Sequence, residues 1–304
     1  MSSDYQLVPL ANGQQTLFSA SYGEKMHPGL GPQAEAELLY VRQLQICERI
    51  QTGAGEFVIW DVGLGGAANA IAALRALRES AGRLRLISFD NTSEPLAFAL
   101  QHAAALNYPV GYEPQLAGLL DTRRVEFQNG KLAVNWEFHL GDFPSLLAGG
   151  SRCEAAQLSP SSVSQQPSAL PAPHAIFYDA FSPAKNPAMW TLPVFAGLFR
   201  ALNPARPCAL TTYSRSTLLR ATLLLAGFFV GAGPATGTKE ETTIAANDLA
   251  LIAEPLNARW LERALRSSSA EPLREAAYTR APLSSATAEK LRRHPQFGAL
   301  PAMP

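Results

Sequence analysis

The chain has 304 residues, is 47% hydrophobic and 16% charged, and balances to a formal net charge of zero. That is enough apolar material for one sizeable core, and the neutral balance gives no sign of broad electrostatic nucleic-acid binding while leaving room for a local basic patch. Cys47, Cys153 and Cys208 are far apart, odd in number and in no CxxC pair, which argues against a disulfide framework or a structural zinc site.

The first residues carry neither a basic region nor an apolar run of a secretory signal, and the most apolar stretch, 218–230, is too short to span a bilayer. A cytoplasmic protein with no membrane contact is expected. Residues 1–34 are turn-rich, with Gly23, Pro28, Gly29, Gly31 and Pro32 close together, and read as irregular. From Ala34 to Ile50, apolar residues at mixed three- and four-residue spacing predict an amphipathic helix.

A buried strand is predicted over 56–62, followed by the turn Gly63-Leu64-Gly65-Gly66 and an alanine-rich helix over 67–78. A second strand, 84–89, ends at Asp90, and a helix follows over 95–106. Strand-helix-strand-helix order predicts a parallel sheet. Asn129-Gly130 between two apolar runs predicts a hairpin whose second arm, 132–140, ends at Gly141-Asp142. Residues 149–173, rich in Ser, Pro, Gln and Ala, read as a flexible insertion. Strands are then predicted at 175–179 and 209–213, helices at 193–202 and 216–226, and a late antiparallel pair from 227–230 and 242–245 at the sheet edge. The domain reading is 1–254, with a basic helical extension over 255–304 that carries eight Arg or Lys against four Glu.

The chemistry is expected at strand ends. Asp61, Gly63 and Gly65 form an acidic residue and glycine turn between strand and helix, where a backbone can approach a ligand closely. Asp90 can accept hydrogen bonds from two ribose hydroxyls, and Asp142 can accept one from an exocyclic amine. An acidic residue ahead of the glycines favours the amino-acid moiety of S-adenosylmethionine over a dinucleotide pyrophosphate. Each feature also has a plainer structural reading: a tight turn, a helix-capping Asp, a Gly-Asp turn. The stretch from Phe177 to Trp190 brings apolar residues to a carboxylate, Asp179, then to Phe181 and a proline-rich loop. Asp179 could orient an attacking amine, Phe181 could stack on a base or shield the cationic sulfonium through its π face, and Trp190 reads as core.

Asp-Ala-Phe-Ser-Pro-Ala-Lys-Asn-Pro-Ala-Met-Trp at 179–190 resembles the signature of the methyltransferase domain of the bifunctional tRNA 5-methylaminomethyl-2-thiouridine biosynthesis family. Residues 61–69 resemble the family's acidic-x-Gly-x-Gly-x-Gly-x-Asn cofactor loop, with Ala67 at the third glycine. Tyr22 to Glu35, including His27, resembles its substrate-side segment, and Thr238-Lys239-Glu240 a late Lys-Arg-Glu element. The resemblance spans roughly residues 16 to 250, with no counterpart of the family's FAD-dependent oxidase half expected. It implies an α/β, Rossmann-like class I S-adenosyl-L-methionine-dependent methyltransferase, mostly parallel with an antiparallel edge strand. It also implies Asp179 as the catalytic residue and Asp61, Gly63, Gly65, Asp90 and Asp142 around the cofactor. Tyr22, His27, Phe181 and Lys185 would face the acceptor. The implied reaction, without a metal, is N-methylation of 5-aminomethyl-(2-thio)uridine at the wobble position of tRNA. A small-molecule amine as acceptor and a non-catalytic scaffold are the alternatives, with an NAD-dependent oxidoreductase more distant.

Overall fold

The computed structural model describes residues 4–53, 55–150, 170–236 and 240–298. Thr238, Lys239 and most of the 149–173 insertion lie outside the described residues, as do positions 299–304 of the extension.

The N-terminal segment departs from expectation. It forms a three-stranded antiparallel sheet of β1 (Tyr5–Pro9), β2 (Gln15–Ser19) and β3 (Glu24–Lys25). Its turn residues are hairpin punctuation, with Gly13 and Gly23 at φ +82° and +63°, and the strands between them are too short to show a period. The single helix expected over 34–50 is α1 (Pro32–Ala36), a π-helical turn (Glu37–Arg42) and α2 (Ile46–Thr52). The wider π turn explains the mixed apolar spacing, and left-handed Gln45 separates the last piece.

The rest follows the predicted order: β4 (Glu56–Val62), α3 (Ala68–Ala76), β5 (Gly82–Asp90), then α4 (Glu94–Gln101) and α5 (Ala103–Leu106), divided at His102 where one helix was expected. Helix α6 (Glu113–Thr122), which the sequence reading does not include, precedes the hairpin β6 (Arg124–Asn129) and β7 (Leu132–Leu140). Beyond these come α7 (Phe143–Gly150), β8 (Ala175–Tyr178), α8 (Leu192–Arg200), β9 (Ala209–Thr212), α9 (Thr217–Ala226), β10 (Phe229–Gly233) and β11 (Thr242–Ala246). The chain closes with α10 (Ala258–Leu265) and α11 (Ser285–Arg292).

The main sheet has eight strands in the order β10-β11-β9-β8-β4-β5-β7-β6. Strands β9, β8, β4, β5 and β7 run parallel; β11 and β10 continue antiparallel at one edge and β6 closes the other antiparallel to β7. Each face buries its own apolar cluster. Ile71, Leu74, Leu84, Leu86 and Trp136 lie in one; Trp60, Ile87, Tyr178, Trp190 and Phe195 lie in the other. Truncating one such buried side chain to alanine costs about 2–5 kcal/mol. Leu256, Trp260, Leu261, Leu291 and Phe297, from the basic C-terminal region, belong to the second cluster. Strand order reverses at β4, with β5 on one side and β8 on the other, and open α/β sheets bind ligands in the crevice such a reversal leaves at the strands' carboxyl ends.

Candidate active site

A cavity of about 520 Å³ occupies that crevice. One end is built by the glycine turn. Gly63 and Leu64 both donate their backbone N–H to Phe89 O, at 2.9 and 3.0 Å, so the turn is fastened to the end of β5. Gly63 (φ +95°) and Gly65 (φ +50°) adopt conformations that glycine tolerates best. Asp90 Oδ2 accepts from Gly65 N at 2.9 Å. Burial raises the Asp90 pKa, against the lowering pull of these backbone N–H groups. Asp142 is exposed on the rim, and its Oδ2 accepts from Ser145 N (3.1 Å) and Ser145 Oγ (2.6 Å) at the start of α7. Gly63, Gly65, Asp90 and Asp142 all line the cavity.

Asp61 is placed differently. It is fully buried behind the turn and is not among the lining residues. Its Oδ2 accepts from Ser88 Oγ at 2.9 Å, Ser88 Oγ in turn accepts from Trp136 Nε1 at 2.9 Å, and Oδ1 has no hydrogen-bond partner among the described residues. Burial pushes its pKa up to about 8, with Asp179 and Asp90 adding to the shift.

The other end gathers around Asp179, whose N–H extends the β8 pairing to Val62 O at 2.9 Å. Asn69 Nδ2, from the first turn of α3, donates to Asp179 Oδ2 at 2.8 Å. His27 Nε2 lies 3.2 Å from Asn69 Oδ1 and 3.4 Å from Asp179 Oδ2. His27 has a left-handed backbone (φ 54°), a strained conformation that clusters at functional sites. Burial alone would raise the Asp179 pKa, but His27 and Asn69 hold it below the usual carboxylate value. Burial alone would lower the His27 pKa, and Asp179 raises it above the usual imidazole value instead. Each shift favours the charged form of its group. Tyr40, on the π-helical turn, is buried with its hydroxyl pKa raised by burial and then by Asp179.

The loop after Asp179 is pinned at successive residues. Tyr213 Oη donates to Ala180 O (2.9 Å) and Trp190 Nε1 to Phe181 O (2.7 Å). Glu24 accepts from Ser182 N at 3.1 Å and from Ser182 Oγ, joining the loop to β3. Phe181 stacks on Tyr22, ring centroids 4.0 Å apart and 15° from parallel. Trp190 is core, as expected. Tyr22, His27, Asp179 and Phe181 line the cavity; Lys185 does not, and sits exposed beside it, over Gly23.

Asn69, Glu24 and Tyr40 take part without having been singled out in the sequence. Asn69 alone had a signal, as the last position of the glycine-loop motif. Among the described residues no group of three or more His, Cys, Asp or Glu is placed to hold a metal, and no helix is long and apolar enough to cross a membrane.

An open, mostly parallel sheet carrying a glycine turn and a carboxylate, Asp90, at its switch point is the architecture of a nucleoside-cofactor enzyme. The family model described as S-adenosyl-L-methionine-dependent methyltransferase matches residues 162–248, and the chain is such a methyltransferase, with S-adenosyl-L-methionine as its cofactor. It is related to the methyltransferase part of the tRNA 5-methylaminomethyl-2-thiouridine biosynthesis bifunctional protein MnmC. It is 28% identical over 274 residues to that of Cupriavidus metallidurans, covering 84% of this chain and 36% of the relative. With the Ectopseudomonas mendocina protein it shares 29% over 249 residues, 81% of this chain and 35% of the relative. The chain thus spans about a third of the length of these relatives. The crystal structure of MNMC2 from Aquifex aeolicus superposes with a TM-score of 0.66 at 25% identity, covering 96% of this chain and 85% of that one.

Proposed function

We propose that this chain methylates the primary amine of 5-aminomethyl-(2-thio)uridine at the tRNA wobble position. The observation that carries the reading is the Asp179–Asn69–His27 cluster, which shares one cavity with the glycine turn and Asp90. The relatives named for tRNA 5-methylaminomethyl-2-thiouridine biosynthesis supply the acceptor.

The residues present fit the cofactor. A Cβ at Gly63 would lie 2.7 Å from Asp179 O, so only a bare backbone lets the glycine turn pack against the end of β8. Asp90 would receive the ribose hydroxyls, Asp142 the adenine amine, and Gly63 and Gly65 the methionine moiety. Asp61, buried behind the turn, would act on the ligand through the turn it supports. Bound there, S-adenosyl-L-methionine supplies an electrophilic methyl group.

The acceptor amine must be neutral to attack. Asp179 accepts an N–H hydrogen bond from it, which aims the lone pair and offsets the positive charge that develops on nitrogen. Because its pKa is held low, Asp179 is suited to orienting the amine and passing its proton on rather than keeping it. The Tyr22–Phe181 pair offers a π surface to an extruded base, and Lys185 and the basic 255–304 extension offer phosphate contacts. Residues 1–254 would form the catalytic domain, in the cytoplasm where tRNA is modified. A small-molecule amine is the second reading, favoured by the neutral overall charge.

The test is methyl transfer from labelled S-adenosyl-L-methionine to bulk tRNA from cells lacking the wobble-uridine methyltransferase, followed by nucleoside analysis. Label in 5-methylaminomethyl-(2-thio)uridine is expected. Cofactor binding by calorimetry with unlabelled tRNA would move the acceptor elsewhere.

A further inference from the structure

Asn69 is 98% buried on the first turn of α3, three residues beyond the glycine turn, and both ends of its amide are used. A carboxylate can only accept hydrogen bonds, so the amide end 2.8 Å from Asp179 Oδ2 must be the NH₂ group. The amide oxygen then necessarily faces His27 Nε2, 3.2 Å away. An amide oxygen can only accept, which requires a proton on Nε2. That proton also points toward Asp179 Oδ2, 3.4 Å off, and closes a triangle of amide, imidazole and carboxylate. The three corners come from separate parts of the fold: the cofactor-side helix α3, the end of β8, and the segment following β3.

We infer that Asn69 is a positioning residue, which fixes the Asp179 carboxylate and the Nε2 proton of His27 in register with the glycine turn. The inference deepens the functional reading above and rests on it for the identity of the acceptor. Asn69 lines the cavity, and its amide is engaged by Asp179 and His27. It acts through Asp179, and a displacement of about 1 Å at such a group is enough to cost roughly a hundredfold in turnover.

The decisive substitutions are Asn69→Ala, which removes the amide, and Asn69→Asp, which keeps its volume and removes the donor. Both are expected to lower kcat on tRNA about a hundredfold, with KM for tRNA and the dissociation constant of S-adenosylhomocysteine within about threefold of wild type. Wild-type kcat in Asn69→Asp would overturn the inference, because shape alone would then suffice. A loss of S-adenosylhomocysteine affinity matching the loss of kcat would overturn it too, by showing that Asn69 serves only the cofactor turn. A measurement on the wild-type protein depends on neither the acceptor nor a folded variant: ¹⁵N correlation spectra of the His27 ring. A protonated Nε2 is expected, and a ring protonated at Nδ1 alone would refute the triangle. Absence of methyl transfer to tRNA by the wild type would refute the acceptor and leave the ring spectrum to decide on Asn69.

Discussion

Gly63 and Asp179 stand side by side at the ends of two adjacent parallel strands, and a Cβ on Gly63 would lie 2.7 Å from the Asp179 carbonyl oxygen. The carbonyl is backbone and cannot rotate away, and Gly63 also has φ +95°. Gly63→Ala is therefore expected to cost about 2 kcal/mol or more in stability and to weaken S-adenosylhomocysteine binding. Thermal denaturation and calorimetry on the same sample check both; an unchanged melting temperature with unchanged affinity would show that the strands part without cost.

Ala67 presents the opposite case. It occupies the third-glycine position of the loop motif, has φ +65°, and is fully buried. A left-handed alanine is strained by about 1–2 kcal/mol, and glycine gives back part of that gain through its freer unfolded chain. Ala67→Gly is expected to stabilise the protein by roughly 0.5–1 kcal/mol, read as a higher urea midpoint at unchanged slope.

The features legible in the sequence were local ones. The run from Glu56 through Ala68 shows strand, turn and helix within a few residues, and Asn129-Gly130 marks its hairpin, so β4, α3, β6 and β7 appear where expected. The positions of Asp90 and Asp142 on the cavity wall were legible because strand ends are marked by the chain itself. The acceptor end was less so, since its contacts are long-range: His27 and Asn69 are 42 residues apart, Asn69 and Asp179 are 110 apart, and Glu24 and Ser182 are 158 apart. No periodicity reports such pairings. The N-terminal sheet was hidden because strands of two to five residues between glycines look like a loop. Asp61 was found as a residue but not as an environment, because burial behind the turn is a tertiary fact.

The His27–Asp179 pair gives stability a pH dependence. His27 has a raised folded pKa relative to the ordinary 6.5, so its contribution is fully present below about pH 6.5 and lost as pH rises through the folded value. Asp179 has a lowered folded pKa relative to 3.8, so its contribution is present above about pH 4 and lost as pH falls through the folded value. His27→Gln should therefore lower the melting temperature most between about pH 4 and 6.5, and the deficit should shrink toward pH 9. Parallel melting curves for wild type and variant across that range would rule the pairing out.

Phe181 tests the acceptor side without touching the cofactor turn. Base–aromatic stacking contributes about 1–3 kcal/mol per base, so Phe181→Ala is expected to raise KM for tRNA by about tenfold or more. S-adenosylhomocysteine affinity should be preserved, because the ring packs on Tyr22 rather than on the glycine turn. An unchanged KM would leave the stack a structural contact between the loop and the N-terminal sheet.

Asp61 separates support of the fold from contact with the ligand. Its folded pKa is raised by burial to about 8, while the unfolded chain titrates near 3.8. Between those values the native state holds a proton that the unfolded state has released, so stability falls as pH rises from about 4 to 8 and levels off beyond. Asn is an uncharged mimic of the protonated acid: its oxygen can accept from Ser88, and its NH₂ occupies the side that lacks a partner in any case. Asp61→Asn should thus match wild type near pH 4 and exceed it in melting temperature by a margin that grows to about pH 8. If the carboxylate also serves the cofactor through the turn, the same variant will bind S-adenosylhomocysteine more weakly at neutral pH. Greater stability with unchanged affinity would confine Asp61 to the fold, and a pH-independent stability difference would show that the carboxyl is ionised in the native protein after all.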